Sequence, residues 1–352
     1  MRRTIPAGGV LPLILAFGAC SRPPHPSADI RPALATDAVS SDADDPAVWV
    51  HPTDPARSLI VGTNKVAAPA GAVVVFGLDG KTRQTIAGID RPNNVDIEYG
   101  LKLGSETVDV AVVTERLKNR LRIFKIPSDG GPLTDITANT ATEPEPMGIS
   151  LYRRPRDGAI FAIVSPKTGP KQGYLAQYRL EDDGAGRVKA VLVRRFGSYL
   201  GGKEIEAVAV DDALGYVYYA DEGYGIHKWH ADPDHPEAAR ELASFGRTEF
   251  AGDHEGIAIY ARPNGTGYIL CTDQIAGNTH YHIYRREGGP GGPHDHARMI
   301  QCVRGGADST DGIEVTSAAL GPQFPNGLLV VMNSGPKNFL LYRWEDIASR
   351  IP

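Results

Sequence analysis

The sequence predicts an all-β, single-domain chain folded as a six-bladed β-propeller, and three observations predict it. A unit of short strands and turns recurs six times. Glycine and proline are abundant, at 40 and 27 of 352 residues, without the triplet period of a collagen. A helix-like pattern appears clearly only near the C-terminus, over Trp344 to Arg350, where it reads as a cap.

Each unit is a short alternating strand, a turn, an apolar β-branched strand ending in a polar residue, a polar gap, and a third strand carrying aromatic or basic residues. The units begin at Asp45, Asn94, Met147, Ile205, His254 and Asp311, at intervals of 49, 53, 58, 49 and 57 residues. In the first unit the strands read AVWV, SLIVGTNK and GAVVVFGLDG; in the fifth, EGIAIY, GYILCTDQ and HYHIYRREG. Three strands per ~50 residues, with room for a fourth between units, fit a blade that stacks radially around a channel. A sandwich of short strands would not repeat at this period.

Composition excludes several classes. Hydrophobic and charged residues at 41% and 22% describe an ordered globular chain. A net charge of -5 argues against a nucleic-acid partner, which calls for a basic surface. The P-loop, GxSxG and HExxH patterns are missing from the sequence. His294 and His296 lie in a Gly/Pro-rich loop, and His51, His227, His230 and His254 flank strands as packed or surface residues.

The ends of the chain carry separate information. Arg2 and Arg3, an apolar run from Gly8 to Gly18, then Ala19 and Cys20 form an export signal over residues 1–19. Phe17-Gly18-Ala19-Cys20 resembles a bacterial lipobox, with Phe17 where leucine is usual, which implies a lipid on Cys20 and attachment to the cell envelope; plain secretion is the alternative. Residues 20–39 then read as a tether and 40–352 as the propeller. Cys271 and Cys302 lack the spacing of a zinc or redox motif, and either two buried thiols or a disulfide satisfies the sequence.

Aligning the units reveals an acid at or beside the start of the first strand: Asp45, Asp96, Glu206, Glu255 and Glu314, with Met147 as the exception. First strands line a propeller's channel, so these positions converge on its mouth. More acids flank them: Asp42, Asp44, Asp221, Glu222, Asp253, Asp308 and Asp311. Crowded carboxylates raise one another's pKa unless a cation neutralises them, and an all-oxygen donor set favours Ca2+ over Mg2+ or Zn2+. Second-strand ends contribute Lys65, Arg116, Lys167, Glu222 and Gln274. Because the three cations come from the first three units, one side of the mouth is expected to be basic and the other metal-rich. That division suits an oxyanion, most simply a phosphate, gripped by Lys and Arg and attacked by metal-activated water.

The residues themselves resemble a known family. Asp42-Ala43-Asp44-Asp45-Pro46-Ala47-Val48-Trp49 and Asn93-Asn94-Val95-Asp96-Ile97 are similar to the two signature motifs of the β-propeller phytases, and further similarity runs to about residue 350, including DHEGIAIY from Asp253 and TDGIEV from Thr310. The resemblance implies a calcium-dependent phosphomonoesterase of the 3-phytase kind acting on phytate or other inositol phosphates. It implies calcium and water-activating roles for Asp44, Asp45, Glu206, Glu222, Asp253, Glu255 and Gln274, with Glu206, Glu222, Glu255 and Asp44 at the chemistry; the alignment of the units adds Asp96, Asp311 and Glu314 as metal candidates. It implies phosphate binding by Lys65, Arg116, Tyr152 and Lys167. Glu98 and Val66 depart from the family pattern by thinning the basic flank, and Asn333-Ser334-Gly335-Pro336 replaces a more acidic loop. A monomer is expected. A six-bladed calcium lactonase and a non-catalytic binding propeller are the rival readings; the first has little use for Lys65, Arg116 and Lys167 together, and the second none for metal carboxylates.

Overall fold

The structure is a computed structural model that describes residues 28–352 and Met1. The expected signal segment, Cys20 and the first part of the tether lie outside the described residues.

Six antiparallel sheets make six blades. The innermost strands are Ala43–Trp49, Pro92–Leu103, Pro146–Arg153, Val208–Asp211, Asp253–Ala261 and Ile313–Thr316. Each touches the next, and the sixth touches the first, so together they enclose the channel. The repeat therefore anticipates the architecture, and the fourth strands occupy the gaps left for them: Thr82–Ala87, Thr134–Asp135, Val188–Ser198, Ala243–Phe245 and Gln301–Arg304.

Blade six is completed differently. After its third strand, Asn338–Arg343, the chain turns into the helix Trp344–Ala348, whose Trp344 ring stacks on Tyr260 at 3.6 Å. The outer strand comes instead from the N-terminus: Leu34–Ala35 pairs with Leu341 and Leu340. Just upstream, Ala28–Asp29 adds in parallel to Gln301–Arg304 of blade five. The expected tether is thus corrected for residues 28–39. A ring whose last blade lacks a strand closes by borrowing one, and two-residue strands leave no periodicity to read.

Three second strands, Leu59–Asn64, Ile160–Pro166 and Leu328–Asn333, are buried end to end, and the other three over most of their length. Both faces of a blade are covered by neighbours, which explains apolar runs in place of alternation. Six apolar clusters result, one at each junction between blades, such as Val61, Val75, Val95 and Phe124 between blades one and two.

Cys271 and Cys302 are buried and free. Both face His282, one from each side of its strand. Two strand spacings of ~4.8 Å separate them by about 10 Å, beyond disulfide reach.

Candidate active site

Strand direction fixes the mouth. In every blade the first strand enters at the mouth and runs down the channel, while the second returns to it. Lys65, Arg116, Lys167, Glu222 and Gln274 therefore stand at the rim beside Asp44, Asn93, Pro146, Glu206 and Asp253.

Two carboxylate triplets share Glu222. Oxygen atoms of Glu204, Glu206 and Glu222 lie within 4.8 Å of one another, as do those of Glu222, Asp253 and Glu255. Blade four reaches this position through a close approach: a Cβ on Gly148 of blade three would sit 1.8 Å from the Glu206 carbonyl oxygen, so no larger residue fits there. Burial, then Glu206 and Asp253, push the Glu222 carboxyl up to about 8, against the pull of Lys203 and Lys167. Burial, then Glu222, Glu206 and Asp311, push Glu255 up to about 10. Carboxyls in this state either hold protons at neutral pH or take up a cation, and an all-oxygen set of this density fits Ca2+.

Next to the triplets, Asp44 is fully buried and its carboxyl is raised by burial. Lys65 pairs with it, and also lies 3.5 Å from Asp311 and 3.7 Å from Glu206. Burial opposes the Lys65 charge, but Asp44, Glu206 and Asp311 outweigh it and hold the ammonium above its usual range. Lys65, expected on the phosphate-binding flank, thus stands among the mouth acids. Its backbone N–H donates to the Asp42 carbonyl at 2.8 Å, which aims the side chain back at the acids of its own blade. Gln274 donates to Asp311 at 2.5 Å, closing this side.

Arg116 and Lys167 remain as the basic flank. Arg116 is held by Asn93 Oδ1 at 3.5 Å and faces Glu145 at 3.7 Å. Lys167 pairs with Glu204. Both cations are lowered, by burial first and then by a neighbouring cation, Arg91 for Arg116 and Arg116 for Lys167. An anion that relieves the repulsion between Arg116 and Lys167 is favoured there.

Four expected residues lie elsewhere. Tyr152 is 2% exposed, opposite Phe161, in the core between blades three and four. It is six residues below Pro146, about 20 Å down the strand at ~3.3 Å per residue, so a phosphate-binding role at the mouth is corrected. Asp45, Asp96 and Glu314 line the channel below, in a cavity of about 200 Å³ shared with Glu98, Asp212 and Glu255. Asp45 accepts the Val95 N–H at 2.9 Å, and Asp96 accepts Leu151 N–H at 2.6 Å and the Ser150 hydroxyl at 2.9 Å. All three bonds join neighbouring blades. Their grouping with the mouth acids is corrected because strands alternate and descend, so a shift of one to three positions moves a carboxylate from rim to channel wall.

Sequence reasoning passed over Glu204, Asn93 and Lys203. Asn93 donates to Glu206, to Asn94 at 2.9 Å and to Asp44 at 3.5 Å, bridging three blades. Lys203 pairs with Asp253. Glu204 precedes its strand, outside the repeat, and its only signal was proximity to Glu206.

A six-bladed propeller that gathers two carboxylate triplets at its mouth, with Lys167 and Arg116 beside them, can hold a cation and an oxyanion together, as a metal-assisted ester hydrolase does. The Phytase family model matches residues 19–351. A curated 3-phytase of Bacillus subtilis (strain 168) is 33% identical over 337 residues, covering 90% of this chain and 84% of that one. The chain belongs to the phytase family and is a hydrolase of the 3-phytase type. Neither the lactonase nor the non-catalytic reading is favoured by these relations.

Proposed function

We propose that the chain releases phosphate from phytate and related inositol phosphates by calcium-activated water at the channel mouth. The observation that carries this reading is the pair of carboxylate triplets sharing Glu222, with Lys167 paired to Glu204 at their edge and Arg116 next to Lys167. Glu204, Glu206, Glu222, Asp253 and Glu255 would hold calcium, with Asp44, Asp311 and Gln274 at the margin. When bound, Ca2+ offsets the charge of the substrate and of the acids and lowers the pKa of water.

The rest is performed by side chains. Arg116 and Lys167 bind phosphate oxygens and orient the ester, and Arg116 offers a two-pronged contact that a lysine cannot match. Burial and neighbouring acids raise the Glu222 and Glu255 carboxyls only while no cation is present; as calcium ligands both would be carboxylates, orienting the cation and its water toward the ester. Lys65 holds the Asp44 side chain in place and opposes the effect of its burial.

The N-terminal motif supports export with a lipid on Cys20. Among the described residues no helix is long and apolar enough to cross a membrane.

Phosphate release from phytate by the purified chain, measured in calcium and again after chelation, tests the reading. Release that depends on calcium is expected. Undiminished release in chelator removes the calcium role, and no release from any inositol phosphate removes the substrate.

A further inference from the structure

Blades four and five are built on the same frame, and one of them carries extra ligands. In blade four, Asp221 stands opposite Gly225, and His227 stands between Tyr219 and Ser244. In blade five, Asp273 stands opposite His280, and His282 stands between Cys271 and Cys302. Both aspartates clamp the preceding loop: Asp221 accepts Gly201 N–H at 2.8 Å, and Asp273 accepts Gly252 N–H at 2.6 Å. In blade four His227 Nδ1 is 3.0 Å from Glu241, while its Nε2 is buried without a partner 3.9 Å from Asp221, and no second histidine or cysteine stands beside it. Blade five has no carboxylate in that place. It has instead His280 where blade four has glycine, and Cys302 where blade four has serine.

The three groups converge. One ring nitrogen each of His280 and His282 and the Cys302 sulfur lie within 4.8 Å of one another. His282 is 2% exposed; its Nε2 lies 3.6 Å from Asp273 while its Nδ1 is buried without a partner. A buried imidazole nitrogen left unpaired is destabilising, and a ligand would recover that loss. A carboxylate behind one nitrogen of a histidine whose other nitrogen is free is the arrangement that orients metal-binding imidazoles. Phe250, 4.2 Å from the His282 ring, walls the site. His280, with its side chain 26% exposed, leaves an entry.

We propose that His280, His282 and Cys302, backed by Asp273, bind one divalent ion of the Zn2+ class, at a site separate from the oxygen-lined mouth. Nitrogen and thiolate donors select such an ion over Ca2+. The donors need to draw in to about 3.5 Å apart, the spacing implied by tetrahedral bonds of ~2.0–2.3 Å, and the half-exposed His280 is free to do so. Asp273 adjoins Gln274 and holds the loop that leads into Asp253, so the ion would brace blade five where it supplies the mouth. Binding displaces the Cys302 thiol proton and weakens as pH falls.

The test uses the full chain carrying Cys20→Ser, stripped of metal and returned to excess calcium so that the carboxylates at the mouth are covered. Titration with Co2+ is expected to give a thiolate-to-cobalt charge-transfer band saturating at one equivalent. Cys302→Ser abolishes it, and His282→Gln or the milder His280→Gln weakens Co2+ affinity at least about tenfold. Zn2+ displaces the cobalt and raises the unfolding midpoint. Turnover of phytate in calcium reports that each variant has folded. Absence of the band in the starting chain, its survival in Cys302→Ser, or unchanged affinity in folded His280→Gln would overturn the site.

Discussion

Most mouth acids and the channel acids share one repeated feature, a carboxylate near the start of a first strand, to which the mouth adds Glu222 from a second-strand end, yet the two groups meet opposite fates. At the mouth, Glu222 and Glu255 face other carboxylates and no backbone donor reaches Glu255. In the channel, Asp45 and Asp96 accept N–H groups from the neighbouring blade, and their charge is used to join blades. The difference teaches that the kind of donor decides a carboxylate's role here. Backbone donors of the next blade tie the channel acids into the ring, while the mouth acids meet side chains, Lys167 on Glu204, Lys203 on Asp253 and Asn93 on Glu206, whose place a cation can take.

The largest effect separating the two groups is expected from Glu222→Gln. It keeps the shape but removes the charge common to both triplets, and kcat/KM for phytate should fall at least about 100-fold. The unfolding midpoint measured in chelator should stay or rise, because the substitution relieves repulsion. A fall in both would make Glu222 a structural acid like those below it. Lys65→Ala comes next. It leaves Asp44 fully buried without its cation, and removing one partner of a buried pair costs on the order of 3–5 kcal/mol. Urea unfolding in chelator measures this loss. A variant as stable as the parent, with only KM raised, would return Lys65 to the phosphate-binding flank.

The channel group makes a prediction of its own in pH. Burial holds Asp96 at about 6, against the ordinary 3.8, despite the bonds from Leu151, Ile97 and Ser150. The folded chain therefore binds this proton more tightly than the unfolded chain. The stabilisation is full below pH 4 and is lost as pH rises through 6, by at most about 3 kcal/mol. Asp96→Asn should flatten that part of the stability curve while leaving turnover in calcium close to the parent. A large loss of turnover would mean that Asp96 serves the chemistry after all.

The propeller was legible because its signal is redundant: six copies of a strand pattern survive any single misreading, and apolar second strands mark blades packed on both faces. The N-terminal closure was not legible, since Ala28–Asp29 and Leu34–Ala35 are too short to show a period. At the site, residues fixed by strand ends were readable, among them Glu222, Arg116, Lys167 and Gln274. Residues set by depth or reach were not. Tyr152 lies on the right strand at the wrong height, Lys65 reaches inward where the repeat implied an outward flank, and Asn93 acts through a side-chain bridge that no spacing encodes.

The smallest effect concerns the cations that the comparison leaves at the mouth. Arg116 is anchored by Asn93 and crowded by Arg91, so a bound phosphate relieves repulsion that the free site carries. That relief is available in the ground state as much as in the transition state, so Arg116→Ala should raise KM about tenfold with kcat changed less. Arg116→Lys keeps the charge but loses the fork and should recover only part of the affinity. If both variants instead lose kcat with KM unchanged, Arg116 touches charge that develops during the reaction, and the division between a binding flank and a catalytic flank at the mouth fails.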